Sequence, residues 1–153
     1  MIWAAVSDMM TMTISNRISI ALVALYLVMA FATGQPWSAV GYHLACGLTV
    51  LAITFAMFAF GWVGGGDAKL AAATAIWIGF ADLMAYAVAA AAFGGVLTLV
   101  LLLFRRLPLP DLLARQKWLA RLHHPETGIP YGIALAAAGL FLYPETGIWM
   151  AAV

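Results

Sequence analysis

Long apolar segments, separated by short polar stretches, constrain this chain more than any other feature. Hydrophobic residues make up 66% of its 153 residues and charged residues only 8%. A soluble domain typically carries about 25% charged residues. Together with a mean hydropathy of +1.04, this predicts an all-α, polytopic transmembrane helix bundle. We expect one membrane-embedded domain over residues 1–153, because no polar stretch is long enough to build a separate soluble domain.

The apolar segments predict about five full spans, preceded by a short remnant of an N-terminal helix. Residues 1–6 are too few to cross a bilayer, which takes about 20 residues. Residues 70–104 would measure roughly 52 Å as one helix, longer than a hydrocarbon core of about 30 Å. We therefore expect a break near residues 80–82, with Asp82 as the N-cap of a helix from Leu83. The predicted spans are 18–33, 39–63, the two halves of 70–104, and a last segment from 130 to about 143 or on to 153.

The basic residues support this arrangement. With spans of alternating direction, all of them fall on one side, and the opposite turns at 34–38 and 80–82 contain none. The positive-inside rule makes that side cytoplasmic. The residues concerned are Arg17, Lys69, Arg105, Arg106, Arg115, Lys117 and Arg121.

One polar loop, residues 105–129, is long enough for structure of its own. Residues 111–124 predict a short amphipathic helix in the interface plane. Its apolar face would hold Leu112, Leu119 and Leu122, and its basic residues would face headgroups or water.

Two aspartates are predicted to lie at the same membrane level. Asp67 follows the glycines of "GGGDAK" at the cytoplasmic edge, and Asp8 precedes the first full span on the same side. Two carboxyls that meet share a proton, so one can activate water while the other polarises a carbonyl, as in aspartic proteases. The alternatives are that Asp67 is only an N-cap, the glycines only a flexible turn and Lys69 only a topology signal.

The remaining polar residues favour structural roles. Asp82 is interpreted as a cap and His43 as a buried hydrogen-bonding residue, while Asp111 and Glu126 are interpreted as solvated acids. His123 and His124 have no third ligand nearby, and the chain has one cysteine, Cys46, so we predict no metal site and no cofactor. A net charge of +1 gives no support for nucleic-acid binding.

Three patches resemble the type IV prepilin peptidases, which are GxGD membrane aspartyl proteases. "GGGDAK" at 64–69 resembles their GxGDxK signature. Asp8 precedes "MMTMTISN", in which Ile14 and Asn16 stand at the positions of an Ile-Pro-Asn element and Ser15 replaces the proline. "GIPYGIALAAAG" at 128–139, with Pro130, Tyr131 and Gly132, looks like the start of the last helix in the compact CpaA/TadV-like branch.

The resemblance implies an endopeptidase that removes the leader peptide of Flp or type IV-like pilin precursors at the cytoplasmic face of a bacterial inner membrane. It implies that Asp8 and Asp67 are catalytic, that Gly64 and Gly66 shape the turn, and that Lys69 is the motif's lysine. Membrane lipid and the pilus assembly machinery are the other implied partners. Larger members carry a cysteine-rich zinc domain and N-methylate their product; one cysteine here argues against methyltransferase activity.

Two departures from the family pattern are evident. Ser15 in place of proline loosens the turn after Asp8, and only seven residues precede Asp8 where the family has a full helix. We expect the short segment before Asp8 to result from a start site assigned too far downstream. Otherwise the first helix is missing and the chain is a degenerate relative.

Two rival functions are a proton-coupled carrier and a non-catalytic membrane subunit of a pilus assembly or secretion system. A carrier would have acids near the membrane midplane and often repeated halves, and neither is seen. A non-catalytic subunit would tolerate the loss of Asp67.

Overall fold

The computed structural model describes residues 1–150, all of them as helices and connecting loops. The all-helical class predicted from composition is confirmed for these residues, and the predicted extension of the last segment to residue 153 lies outside them. The helices are α1 (Ile2–Thr11), α2 (Asn16–Ala32), α3 (Trp37–Ala59), α4 (Gly65–Arg106), α5 (Asp111–Ala114), α6 (Lys117–His123), α7 (Gly132–Leu142) and α8 (Gly147–Met150), with a 3₁₀ turn at Tyr143–Glu145 between α7 and α8.

By length and composition, two of the described helices, α3 and α4, are able to cross a membrane. Helix α2 and the α7 segment are apolar but shorter. The predicted count of about five full spans is therefore not confirmed. Large apolar side chains are nevertheless exposed along the outside of the bundle, including Phe31, Leu48, Phe55 and Leu99. An apolar surface of this extent needs lipid or protein to cover it.

Helix α4 is two helical segments that fold back on each other at Gly79. The backbone of Gly79 has φ 76° and ψ 172°, a conformation that glycine adopts without steric cost. Residues 74 and 86 would be roughly 18 Å apart along a straight helix. Yet a Cβ placed on Gly139 of α7 would lie 2.8 Å from Thr74 and 3.9 Å from Tyr86. The chain must therefore reverse between these two residues.

The predicted break near residues 80–82 is thus present one residue earlier, but the predicted cap is wrong. Asp82 lies inside the second helical segment and does not begin it. His43 of α3 stabilises the reversal instead, because its Nδ1 donates to the carbonyl of Ile76 at 2.7 Å. That carbonyl belongs to the last turn before the break, where helix carbonyls lose their intrahelical partners. The predicted hydrogen-bonding role of His43 is confirmed, but the residue is half-buried and not buried as predicted.

Helix α7 lies at the centre of the bundle, in contact with α1 and with both segments of α4. Its buried face is rich in small residues, which allow helix backbones to approach closely. The members of this face with almost no exposed surface are Ala134, Ala136, Ala138 and Gly139. Since α7 contacts α1, which carries Asp8, and α4, which carries Asp67, its packing helps to fix where the two carboxyls meet.

The predicted amphipathic helix over residues 111–124 is wrong as a single element. Two short helices, α5 and α6, replace it, with an interruption at residues 115–116. Leu122 is buried, Leu119 is half-buried and Leu112 is exposed, so these leucines do not form one apolar face. Arg121 donates to the carbonyl of Met10 at 3.3 Å, which holds α6 against the end of α1.

Candidate active site

The two predicted aspartates line one cavity at the end of the bundle where α1 ends and where α4 and α7 begin. The cavity has a volume of about 360 Å³. It is bounded by the loop between α1 and α2 and by the glycine turn before α4. Its lining residues are Asp8, Met12, Thr13, Ile14, Asn16, Gly64, Gly65, Gly66, Asp67 and Lys69. Side chains that are 59 residues apart in sequence are therefore neighbours in the fold.

Asp8 is buried in the last turns of α1, with 5% of its surface exposed. Its Oδ2 accepts a hydrogen bond of 2.8 Å from the backbone N–H of Gly132, the first residue of α7. Burial raises the pKa of the Asp8 carboxyl, and the hydrogen bond from Gly132 opposes that rise because it favours the charged form. The start of α7 thus fixes one carboxyl of the pair.

Asp67 lies in the first turn of α4 and is half-buried. Gly64 is the N-cap residue of α4, and no side chain makes a capping hydrogen bond there. The alternative that Asp67 serves only as an N-cap is therefore wrong. Burial, and to a lesser extent the nearby Asp8 carboxyl, raises the pKa of the Asp67 carboxyl to about 6. Ionisation of one carboxyl therefore disfavours ionisation of the other.

Three glycines leave room for the two carboxyls and for the loop between α1 and α2. A Cβ on Gly64 would lie 2.9 Å from Oδ2 of Asp67, and a Cβ on Gly132 would lie 2.8 Å from Oδ2 of Asp8. A Cβ on Gly66 would lie 3.2 Å from Cβ of Ile14. At Gly64 and Gly132, any side chain would press directly on a carboxylate.

The loop between α1 and α2 is tied to the glycine turn by Asn16 and Lys69. The Nζ of Lys69 donates to Oδ1 of Asn16 at 2.9 Å, which joins the first turn of α2 to the first turns of α4. Ser15, between Ile14 and Asn16, is the N-cap of α2, and its Oγ accepts from the N–H of Arg17 at 3.3 Å. Serine is a favoured N-cap residue, so Ser15 gives α2 a defined start.

The segment at residues 128–139 positions Asp8 through the start of α7. Pro130 is buried, and Tyr131 is the N-cap residue of α7. The ring of Tyr131 packs directly against Gly94 of α4, where any side chain would overlap it. These contacts set where α7 begins, and therefore where the Gly132 N–H meets Asp8.

Two further residues support the site and were missed in the sequence. Gly94 provides the space for Tyr131; its only signal was a Gly-Gly pair inside a long helix. Arg105 was interpreted only as a topology signal. Its guanidinium donates to the carbonyls of Leu122, Thr127 and Gly128 at 2.8, 2.8 and 3.1 Å, and so holds the segment leading into Pro130.

The described residues favour acid–base chemistry by the two carboxyls. Within residues 1–150, no group of three or more His, Cys, Asp or Glu side chains is arranged to hold a metal ion. Cys46, His43 and His123 all lie apart from the cavity, as its lining shows. Two carboxyls that share a small polar cavity at the rim of an apolar bundle can hold one proton and one water between them.

Comparison with known protein families gives one match. The sequence model of the type IV leader peptidase family matches residues 1–99, which include both aspartates. The patch at 128–139 lies outside the matched residues, so the CpaA/TadV-like branch is not confirmed. No significant match was found among curated proteins or among solved structures.

Proposed function

Because this chain belongs to the type IV leader peptidase family, we propose that it is a membrane aspartyl endopeptidase. It removes the leader peptide from Flp or type IV-like pilin precursors. The observation that supports this proposal most directly is that Asp8 of α1 and Asp67 of α4 line the same cavity. A leader peptidase needs a nucleophilic water beside the scissile carbonyl, and a pair of carboxyls with one proton supplies both a base and an acid.

The proposed reaction follows from that shared proton. The ionised carboxyl takes a proton from water as the water attacks the peptide carbonyl, and the neutral carboxyl donates a hydrogen bond to the carbonyl oxygen. Collapse of the tetrahedral intermediate returns a proton to the leaving amine. The Gly132 N–H keeps the Asp8 carboxyl in place throughout, and the glycines at 64–66 leave backbone space for an extended substrate segment.

We place the active site at the cytoplasmic face of the bacterial inner membrane. Lys69 and Arg105 lie at the same end of the bundle as the carboxyl pair, and basic residues mark the cytoplasmic side. In this arrangement the two segments of α4 cross the membrane in opposite directions, which gives about five spans. We propose leader removal without N-methylation, since the cysteine-rich domain of larger members requires several cysteines and this chain has one.

The test is expression of the chain with an Flp-type pilin precursor in a host that lacks its own prepilin peptidase. Leader removal is followed by gel shift and by mass. We expect the wild-type chain to cleave the precursor, and Asp8→Asn and Asp67→Asn to leave it uncut. Asp82→Asn is the matched control, because Asp82 lies in the second segment of α4, away from the cavity.

Cleavage that survives Asp67→Asn would show that the pair is not catalytic. A wild-type chain that inserts in the membrane but never cuts would instead favour the non-catalytic assembly subunit. Loss of activity in Asp82→Asn as well would point to folding rather than chemistry.

A further inference from the structure

Arg105 lies at the end of the second segment of α4, and its side chain holds the backbone between α6 and α7. Its Nε donates to the carbonyl of Leu122 at 2.8 Å, and its Nη2 donates to the carbonyls of Thr127 and Gly128 at 2.8 and 3.1 Å. A guanidinium presents its N–H groups in a rigid planar fork, so three acceptors on one fork are fixed relative to each other. This one side chain therefore joins the end of α4 to the segment that leads into α7.

The segment held by Arg105 leads directly to a hydrogen bond on one of the two candidate carboxyls. Gly132 follows Gly128 by four positions, and its N–H donates to Oδ2 of Asp8 at 2.8 Å. Between the two glycines lies Pro130, which is buried and whose ring fixes its φ. A stretch this short, with a buried proline inside it, has little freedom. The position of the Gly132 N–H therefore depends on where the Gly128 carbonyl is held.

The two carboxyls differ in this hydrogen bond. Among the described residues the Asp8 carboxyl accepts a backbone N–H, and the Asp67 carboxyl accepts none. Burial raises the pKa of both carboxyls, that of Asp67 to about 6, but at Asp8 the N–H of Gly132 opposes the rise. A donor to a carboxylate stabilises its charged form. The geometry therefore favours Asp8 as the ionised member of the pair.

No charged side chain near Asp8 takes the place of the Gly132 N–H. The titratable or charged side chains on the elements around Asp8 are Asp67 and Lys69 of α4, Arg121 of α6, and Tyr131 before α7. Lys69 donates to Asn16, Arg121 donates to the backbone at the end of α1, and Tyr131 packs on Gly94. Helix α7 itself carries no charged residue. The directional contact on Asp8 thus comes from the backbone that Arg105 helps to hold.

We propose that Arg105 is a positioning residue of the peptidase, which holds the Gly132 N–H on Asp8 and so keeps Asp8 as the ionised carboxyl that activates water. The inference rests on the proposed peptidase function and assigns the roles within the pair. Asp8 takes the proton from water as the base, and Asp67 carries the shared proton as the acid. Arg105 and Gly132 both lie beyond residues 1–99, the part of the chain that matches the leader peptidase family.

The first test replaces Arg105 by lysine, which keeps the positive charge but has one ammonium group in place of the planar fork. With purified enzyme and precursor, we expect Arg105→Lys to lower kcat about tenfold or more, because the base is misplaced. KM should change little, since the substrate still binds. Arg106→Lys is the matched control, because the adjacent Arg106 is exposed and donates to none of the three carbonyls.

The pH dependence of the same reaction distinguishes positioning from folding. Loss of the Gly132 N–H would leave the effect of burial unopposed, so the pKa of Asp8 would rise. Activity needs the ionised base, so the acid limb of kcat/KM should move to higher pH in Arg105→Lys and stay in place in Arg106→Lys. A lower kcat with an unmoved acid limb would assign Arg105 a purely structural role and overturn the proposal.

The second test follows the Asp8 carboxyl without catalysis. In an Asp67→Asn background, the NMR resonance of the Asp8 carboxyl carbon, identified by its loss in Asp8→Asn, reports the titration of this group without its partner. We expect Arg105→Lys to move that titration to higher pH and Arg106→Lys to leave it in place. An unchanged or lower titration in Arg105→Lys would overturn the proposal, because the hydrogen bond on Asp8 would not depend on Arg105.

The two tests also separate this proposal from the function on which it rests. A wild-type chain that cleaves no precursor would reject the peptidase. A wild-type chain that cleaves, with equal Asp8 titrations in the presence of Arg105 and of lysine, would reject only the role of Arg105. Unfolding midpoints show whether the variants are folded. If Arg105→Lys is not, Arg105→Gln, which keeps two N–H donors, is compared with Arg106→Gln in both tests.

Discussion

At the scale of single residues, the candidate active site depends on glycines that stand against carboxylates. Gly132 both donates to Asp8 and leaves the space that the Asp8 carboxyl occupies, and Gly64 leaves the corresponding space beside Asp67. Each position must leave room for the neighbouring carboxyl, because a side chain there would displace a member of the candidate pair.

Gly132→Ala is expected to displace Asp8, since the new Cβ would lie 2.6 Å from Cδ1 of Ile14 and 2.8 Å from Oδ2 of Asp8. A misplacement of about 1 Å can cost about 100-fold in rate, so kcat for leader cleavage should fall by about that factor. Gly128→Ala is the control, because its Cβ would meet only Met12, at 3.8 Å. Equal activities of the two variants would contradict the proposed role of Gly132.

Asp8→Asn is expected to stabilise the folded protein at neutral pH while abolishing cleavage. The raised pKa of Asp8 means that the folded state holds this proton more tightly than the unfolded state, in which an Asp pKa is about 4. The stability from this group is therefore complete below that pH and is lost as the pH rises through the folded-state pKa.

The measurement for Asp8→Asn is the unfolding midpoint in detergent between pH 4 and pH 8. The midpoint of the variant should exceed that of wild type at pH 8, and the difference should shrink toward pH 4. Glu126→Gln, at an exposed position, should show no such trend. A variant that is less stable than wild type at pH 8 would contradict the unfavourable burial of the Asp8 charge.

At the scale of elements, the reversal of α4 at Gly79 brings two halves of one apolar run around α7. The reversal depends on a positive φ at Gly79, a hydrogen bond from His43 to Ile76, and the absence of a side chain that would strike the His43 ring. It also places Gly94 beside Tyr131 at the start of α7, and thereby connects a distant turn to the position of Asp8.

Gly79→Ala should destabilise the protein by about 1–3 kcal/mol from its backbone conformation alone, and by more from the contact of its Cβ with His43, at 2.8 Å. Gly95→Ala is the matched control in the same helix, because its Cβ would meet nothing within 4 Å. Replacing a helical glycine there should add about 0.5–1 kcal/mol of stability. Unfolding titrations in mixed detergent measure the stability of both variants. Equal midpoints for Gly79→Ala and Gly95→Ala would contradict the reversal at Gly79.

At the scale of the whole molecule, the carboxyl pair, the Lys69–Asn16 contact and the segment held by Arg105 lie at one end of the bundle. The turn between α2 and α3 lies at the other end, beyond the stacked rings of Tyr26 and His43. Under the proposed function, this polarity determines which membrane face the leader peptide approaches.

The polarity predicts opposite labelling of two introduced cysteines. In a Cys46→Ala background, Gln116→Cys should react with a membrane-impermeant maleimide only from the cytoplasmic side, and Ser38→Cys only from the opposite side. Both positions are exposed, whereas Cys46 is completely buried. Maleimide labelling is measured in intact cells and in inverted vesicles. Labelling of both cysteines from the same side would contradict the proposed topology.

The sequence by itself determined the helical class, the break in the long apolar run and the pairing of Asp8 with Asp67 as a hypothesis. Those features follow from composition, from helix length against bilayer thickness, and from short motifs whose glycines and carboxyls are adjacent in the chain. It misplaced the cap at Asp82 and joined α5 and α6, because a polar residue near a break and leucines at loose helical spacing do not specify a boundary.

Only the tertiary structure decided how the site is supported. The hydrogen bond from Gly132 to Asp8 joins residues 124 positions apart, and α2 and α3 pack mainly on α4 rather than on one another. Such long-range contacts cannot be predicted from the local sequence. A glycine or an apolar helix face has the same local pattern whichever residues it packs against. The candidate catalytic side chains were readable from their motifs, while their positioning depends on how the helices pack.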